Sequence, residues 1–180
     1  MPRYIAFLRA INVGGHTVKM DYLRSLFEAM DFSDVSTFIA SGNVIFNADS
    51  KNAKSLEQTI EQQLKSSLGY DVATFIRTNR EVSDLASYKP FTEDALQSAL
   101  ALNIVFLAEP LTKDAIQVLN TLKTEIDDFH TRDREVYWLC KQKQSESTFS
   151  NAVFEKKLKL RATFRSASTI SKIAAKYPVQ

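Results

Sequence analysis

The stretch RAINVGGHTVKM, from Arg9 to Met20, gathers side chains suited to holding an anion. Arg9 and Lys19 bring positive charge, Asn12 an amide, and His16 an imidazole that exchanges protons near neutrality. Between them, Gly14 and Gly15 open the backbone, because glycine adopts left-handed conformations at little cost and lets a ligand approach the N–H groups. An amphipathic run follows, so the loop ends where a helix begins, and helix N-termini favour negative charge. A second motif, Ser41-Gly42-Asn43, lies between two apolar runs and reads as a tight turn. The loop has neither the lysine-serine ending of a Walker loop nor the spacing of a dinucleotide fingerprint. The alternative for both glycine motifs is simple chain geometry.

Other chemistry is sparse. The two histidines, His16 and His130, are far apart, and Cys140 has no neighbour at metal-ligand spacing, so neither zinc nor another cofactor is expected. No nucleophile elbow is present, and Ser41 has no evident histidine or acidic partner in sequence. Asp31, Asp34, Asp127, Asp128 and Asp133 read as caps, turns and solvated surface. The segment KKLKLR, Lys156 to Arg161, reads as a solvated basic face, with a phosphate-backbone contact as the second reading. Phe149 and Phe154 read as core.

The elements that position these residues follow from periodicity. Tyr4 to Ile11 is predicted as a buried strand, and Leu23, Leu26, Phe27 and Met30 give a helix over Met20 to Asp31. Val35 to Ala40 and Val44 to Asn47 form a hairpin about the Ser-Gly-Asn turn. Leu56, Ile60 and Leu64 mark a helix from Ala53 to Leu68, stopped by Gly69, and Asp71 to Arg77 is a fourth strand. Thr78 with Glu81 forms a capping box for a short helix, and Thr92 caps another. The order β-α-β-β-α-β then recurs. Its second pass has a strand at Leu102 to Ala108, a helix started by Pro110, and strands at Ile126 to His130 and Glu135 to Lys141. A helix carrying Phe149, Val153 and Leu158, a strand near Ala162 to Phe164, and a terminal helix from Thr169 to Tyr177 complete it. The expected fold class is α+β, two similar ferredoxin-like αβ sandwich subdomains, residues 1–90 and 91–180. Right-handed crossovers make the first and second strands of such a unit parallel. Asn12, Gly14 and Gly15 should therefore meet Ser41, Gly42 and Asn43 at one sheet end, with Gly69-Tyr70-Asp71 arriving there too.

Composition bounds the function. The chain has 180 residues, 44% apolar and 24% charged, with net charge +2, a balance too mild for a dedicated nucleic-acid binder. One cysteine permits no internal disulfide and fits a reducing compartment. No run reaches the roughly 18 apolar residues of a membrane span, so the expectation is a cytoplasmic protein with no membrane partner.

Together, YIAFLRAINVGG (Tyr4–Gly15), VKM (Val18–Met20) and TFIASGNVIF (Thr37–Phe46) resemble the bacterial family catalogued as domain of unknown function 1697. Family members tend to read LRGINVGG, so Ala10 stands in place of a common glycine, which argues against a positive φ there. Near the C-terminus the family shows Thr-Thr-Arg-Asn-Trp-Asn-Thr-Val. Thr163, Arg165 and Thr169 match it, while its asparagines and tryptophan are replaced. The resemblance implies an α+β fold of two similar subdomains and no established reaction.

Three functions compete. The first is binding of a small phosphorylated or nucleotide-like ligand by Arg9, Asn12, Gly14, Gly15, His16, Lys19, Ser41, Gly42 and Asn43, with Arg165 and Thr169 contributing from the second half. The second is single-stranded nucleic-acid binding on open sheet faces and the KKLKLR segment. The third is an enzyme acting on a phosphorylated substrate, for which His16 is the natural base; no catalytic set is named by the sequence.

Overall fold

The first strand, β1 (Arg3–Leu8), is apolar on both faces, and the sheet forms around it. The computed structural model describes residues 1–12, 14–39 and 42–180. By its contacts the chain divides into two units, Met1–Leu85 with Ile173–Gln180, and Ala86–Lys172.

In the first unit, β1 is followed by α1 (Met20–Glu28), β2 (Ser33–Thr37), β3 (Asn43–Asn47), α2 (Ala53–Leu68) and β4 (Thr74–Thr78). The sheet order is β2-β3-β1-β4, and every neighbouring pair is antiparallel, so β1 and β2 run parallel. Strand alternation sends Tyr4, Ala6, Leu8, Val44, Phe46 and Ile76 to the helical side. There they pack with Leu23 and Phe27 of α1 and Leu56, Ile60 and Leu64 of α2. Each fully buried Val, Leu, Ile or Phe side chain among them contributes about 1.5–3 kcal/mol. Ile5, Phe7, Ile45 and Phe75, on the opposite face, are buried as well. Asn52 caps α2 by accepting from the Ser55 N–H at 3.1 Å, and Gly69 ends it at φ 83°.

Strand β4 lies at the sheet edge, where unpaired N–H groups invite foreign strands. Three carboxylates close that edge. Glu61 accepts from Thr74 N–H at 2.9 Å, Glu57 from Ile76 N–H at 2.9 Å and Glu81 from Thr78 N–H at 2.7 Å. The first two sit one helical turn apart on α2. Four helical residues advance about 6 Å and two strand residues about 6.6 Å, so the spacings match.

Helix α3 (Asn79–Ser87) carries the chain to the second unit. Its capping box is reciprocal: Glu81 N–H donates to Thr78 Oγ1 at 3.1 Å, while Glu81 takes the Thr78 N–H. The second unit contains α4 (Glu93–Ser98), β5 (Ala101–Phe106), α5 (Lys113–Asn120), β6 (Asp127–Arg132), β7 (Glu135–Cys140), α6 (Asn151–Leu158) and β8 (Thr163–Ser166). Helix α7 (Ala167–Lys176) follows. The sheet order is β6-β7-β5-β8, again antiparallel throughout, over a core of Val105, Leu107, Leu119, Val136, Trp138 and Phe154.

Several boundaries differ from the sequence expectation. Strand β1 stops at Leu8 rather than Ile11, because Ala10 takes a left-handed conformation at φ 53° and turns the chain. The glycine of the family pattern thus stood where a positive φ is required, and the inference that Ala10 needs none is overturned. Thr112, not Pro110, starts α5, since its hydroxyl accepts from Ala115 N–H at 3.2 Å. Phe149 lies ahead of α6, in an aromatic cluster with Phe129 and Trp138. Asp127 is 2% exposed, not solvated: it accepts from Trp138 Nε1 at 2.8 Å and from the Ser147 and Thr124 hydroxyls at 2.9 Å.

Candidate ligand site

The end of the first sheet brings three chain segments together. Leu8 N–H donates to Gly42 O at 2.8 Å, joining the exit of β1 to the entry of β3. Gly42 sits at φ 80°, and a Cβ there would lie 2.9 Å from Ile11 Cγ2 and 3.1 Å from Leu8 Cβ. Only glycine fits. Tyr70, from the turn after α2, donates its hydroxyl to Ile11 O at 3.1 Å. Its ring stacks on His16, with centroids 3.9 Å apart and planes at 22°. Burial raises the Tyr70 phenol above its ordinary value, so the hydroxyl stays a donor. Gly42 and the loop after β1 therefore share one sheet end, as the crossover argument requires.

Each anticipated residue takes a definite place. Asn12 closes the loop, its Oδ1 accepting from Val18 N–H at 2.7 Å. Asn43 is buried and donates Nδ2 to Phe38 O at 3.0 Å, while its own carbonyl takes the Phe38 N–H at 3.0 Å. Asn12 and Asn43 thus hold loop geometry. Gly14 and Gly15 have φ of 67° and 84°, are exposed, and have no heavy atom within 4 Å of where a Cβ would stand. Arg9 is half-buried and its N–H donates to Ala73 O at 2.9 Å. His16 and Lys19 are exposed. Lys19 is the N-cap of α1 and makes no side-chain capping bond there. Ser41 lies outside the described residues.

Arg165 and Thr169 belong to the second unit. Arg165 is 8% exposed, and its Nη1 donates to Thr163 Oγ1 and Phe164 O, both at 2.8 Å. Burial lowers its pKa to about 10. Thr169 lies in the first turn of α7, its N–H donating to Ser166 Oγ at 3.1 Å, with the two hydroxyls 2.9 Å apart. Sequence reasoning missed Tyr70 as the support of His16; the Gly69-Tyr70-Asp71 turn arriving at this end was the signal.

Among the described residues, no group of three His, Cys, Asp or Glu side chains could hold a metal ion. No helix among them is long and apolar enough to cross a membrane.

Two antiparallel sheets of the same strand order, each with its helices, make this a duplicated α+β protein of ferredoxin-like topology. The chain belongs to the family described as protein of unknown function (DUF1697), whose sequence profile matches residues 1–137. Comparison with curated protein sequences gave no match. Among solved structures it is similar to the conserved bacterial protein SP0830 from Streptococcus pneumoniae, at 20% identity and TM-score 0.73, over 97% of each chain. That likeness is one of fold.

Proposed function

We propose that the first unit binds a small phosphorylated or nucleotide-like anion at the loop between Arg9 and Lys19. One observation carries this reading. Gly14 and Gly15 hold positive φ with open space where side chains would stand, in a loop pinned by Asn12 on Val18 and by Tyr70 on Ile11. The loop leads into α1, whose N-cap side chain makes no capping bond; the helix dipole adds attraction for negative charge, and Asp21 in the first turn offsets part of it. Arg9 and Lys19 supply formal charge, and His16 stands at the rim on its Tyr70 support.

The test is a thermal-shift screen of the full chain with inorganic phosphate, ribose 5-phosphate, nucleotides and short oligonucleotides, followed by calorimetric titration of any hit. A ligand at one hundred times its Kd stabilises the fold by about 2.7 kcal/mol. Lys19→Ala should weaken a hit by roughly tenfold, about the 1.4 kcal/mol of one lost charge-assisted contact. Hits indifferent to Lys19→Ala and Gly15→Ala, or oligonucleotides that alone bind, would exclude this site.

A further inference from the structure

The two sheets treat their last strands differently. In the first unit the N–H groups of Thr74, Ile76 and Thr78 point out of the sheet, and carboxylates of Glu61, Glu57 and Glu81 take them. The second sheet has the same phase. Leu107 N–H donates to Arg134 O, so Asn103, Val105 and Leu107 on β5 bond towards β7. Their partners across β8 therefore turn outward, and Phe164 and Ser166 carry outward N–H groups. Ala162, next in that row, gives its N–H to Glu155 as Thr74 does to Glu61.

The other two carboxylates have no counterpart. Asn151 stands four residues before Glu155 where Glu57 stands four before Glu61, and Thr169 stands three after Ser166 where Glu81 stands three after Thr78. Asparagine is one methylene shorter than glutamate, and the Asn151 Oδ1 is buried with no hydrogen-bond partner among the described residues. Thr169 keeps half of the capping box. Its N–H donates to Ser166 Oγ, and its hydroxyl bonds that same oxygen instead of reaching the strand. Among the described residues, nothing accepts the N–H groups of Phe164 and Ser166. Open N–H groups on an edge strand are the ones an added chain can use. The local charge differs too. From Asn151 to Ile170 the one acidic residue is Glu155, against Lys156, Lys157, Lys159, Arg161 and Arg165.

We infer that the β8 edge docks an extended acidic peptide, whose carboxylates take the places that Glu57 and Glu81 fill in the first unit. Phe164 and Ser166 are two residues apart, about 6.6 Å along the strand, and alternate side chains of an extended peptide repeat at that distance. A Glu-X-Glu segment thus offers one carboxylate to each N–H. Asn151, its amide turned end for end, adds Nδ2 to the first carboxylate. The Ser166–Thr169 hydroxyl pair, which uses one of its two protons internally, gives the other to the second.

The experiment titrates the 15N-labelled full chain with three probes and follows amide shifts. The probes are acetyl-Val-Glu-Val-Glu-Val-amide, the same peptide with glutamine for glutamate, and glutarate, which has two carboxylates and no peptide backbone. The glutamate peptide should give saturable shifts, largest at the Phe164 and Ser166 amides. The other two probes should bind roughly tenfold or more weakly, one charge-assisted contact being worth about that factor. Asn151→Glu and Thr169→Glu rebuild the first unit's closure, and each places glutamate in a first helical turn that favours it. Each should weaken the peptide by the same order, the pair together should abolish its binding, and hydrogen exchange should slow at Phe164 in the first variant and at Ser166 in the second. No saturable shift, shifts confined to residues 14–19, glutarate or the glutamine peptide binding as tightly, binding that survives the double variant, or exchange unslowed in both variants would each overturn the assignment.

Discussion

Arg77 and Arg165 occupy the same position in the two units. Arg77 stands on β4 opposite Ile5, and Arg165 stands on β8 opposite Ile104. Each donates Nη1 to the carbonyl of the residue before it at 2.8 Å. The likeness extends along the strand. Thr74 N–H is taken by Glu61, and Ala162, at the same spacing before its arginine, gives its N–H to Glu155 at 3.0 Å. Shared register, shared buried charge and shared edge closure are what a duplicated unit leaves behind after its sequence has diverged.

A buried guanidinium needs its hydrogen bonds, and its removal leaves both a cavity and an unpaired acceptor. Arg77, 0% exposed, should therefore be costly to truncate: Arg77→Ala should lose about 2–5 kcal/mol in urea unfolding. Arg77→Met keeps most of the volume and removes the charge, so it should cost less. An unchanged midpoint for Arg77→Ala would show that the charge is not held as described.

The four glycines separate into two classes. At Gly14, Gly15 and Gly69 an added methyl meets nothing, so only the left-handed backbone resists, a cost of about 1–2 kcal/mol for alanine. At Gly42 the methyl also meets Ile11 and Leu8 inside 3.2 Å. Gly42→Ala should therefore be destabilised by a further 1–3 kcal/mol or so, the ordinary cost of overpacking. Equal unfolding midpoints for Gly42→Ala and Gly69→Ala would contradict the close approach of Gly42 to Leu8.

Six non-glycine residues among those described carry the opposite strain, and two of them test it best. Ala10 and Ile39 have φ of 53° and 59°. Ile39 is exposed, and a β-branched side chain is especially ill-suited to that region. Ala10→Gly and Ile39→Asn should each stabilise the protein by about 0.5–1 kcal/mol, the left-handed penalty less the entropy returned to the unfolded chain. Loss of stability in either variant would mean the strain is absent.

These residues also mark how far the sequence could be read. Local signals carried well: Leu56, Ile60 and Leu64 with Gly69 defined α2 to the residue, and Thr78 with Glu81 formed the expected capping box. Both are properties of a few adjacent positions. The strand order was legible because crossover handedness leaves few choices. The end of β1 was missed because Ala10 is held left-handed against its own preference by contacts formed elsewhere in the chain. Asp127 looked like surface because its partners, Trp138 and Ser147, are brought to it by the hairpin and the turn beyond β7. The edge carboxylates Glu57 and Glu61 were not singled out, since nothing in α2 announces the strand beside it. The stacked His16 and Tyr70 are far apart in sequence and meet only in the fold.

Tyr137 gives a prediction with a pH sign. Its hydroxyl is buried and, among the described residues, meets no hydrogen-bond partner in good geometry, and Tyr88 and His130 flank the ring while bonding each other at 2.8 Å. Burial raises the phenol's pKa well above 10, the Glu135 carboxylate raises it further, and the Arg132 guanidinium offsets part of the effect. Below pH 10 the phenol is protonated in both folded and unfolded chains and has no effect on the slope. Above pH 10 the unfolded chain releases this proton while the folded chain keeps it. The unfolded state then binds fewer protons, and stability falls as pH rises. Tyr137→Phe removes both the buried hydroxyl and the titration. At pH 8 the variant should equal the parent or exceed it by up to about 1 kcal/mol. From pH 10 upward its advantage should widen, by at most about 1.4 kcal/mol for each further pH unit. Urea unfolding of the two proteins between pH 8 and pH 11.5 measures that difference directly. A gap that stays constant across the range would show that Tyr137 ionises as easily in the folded chain as in the unfolded one.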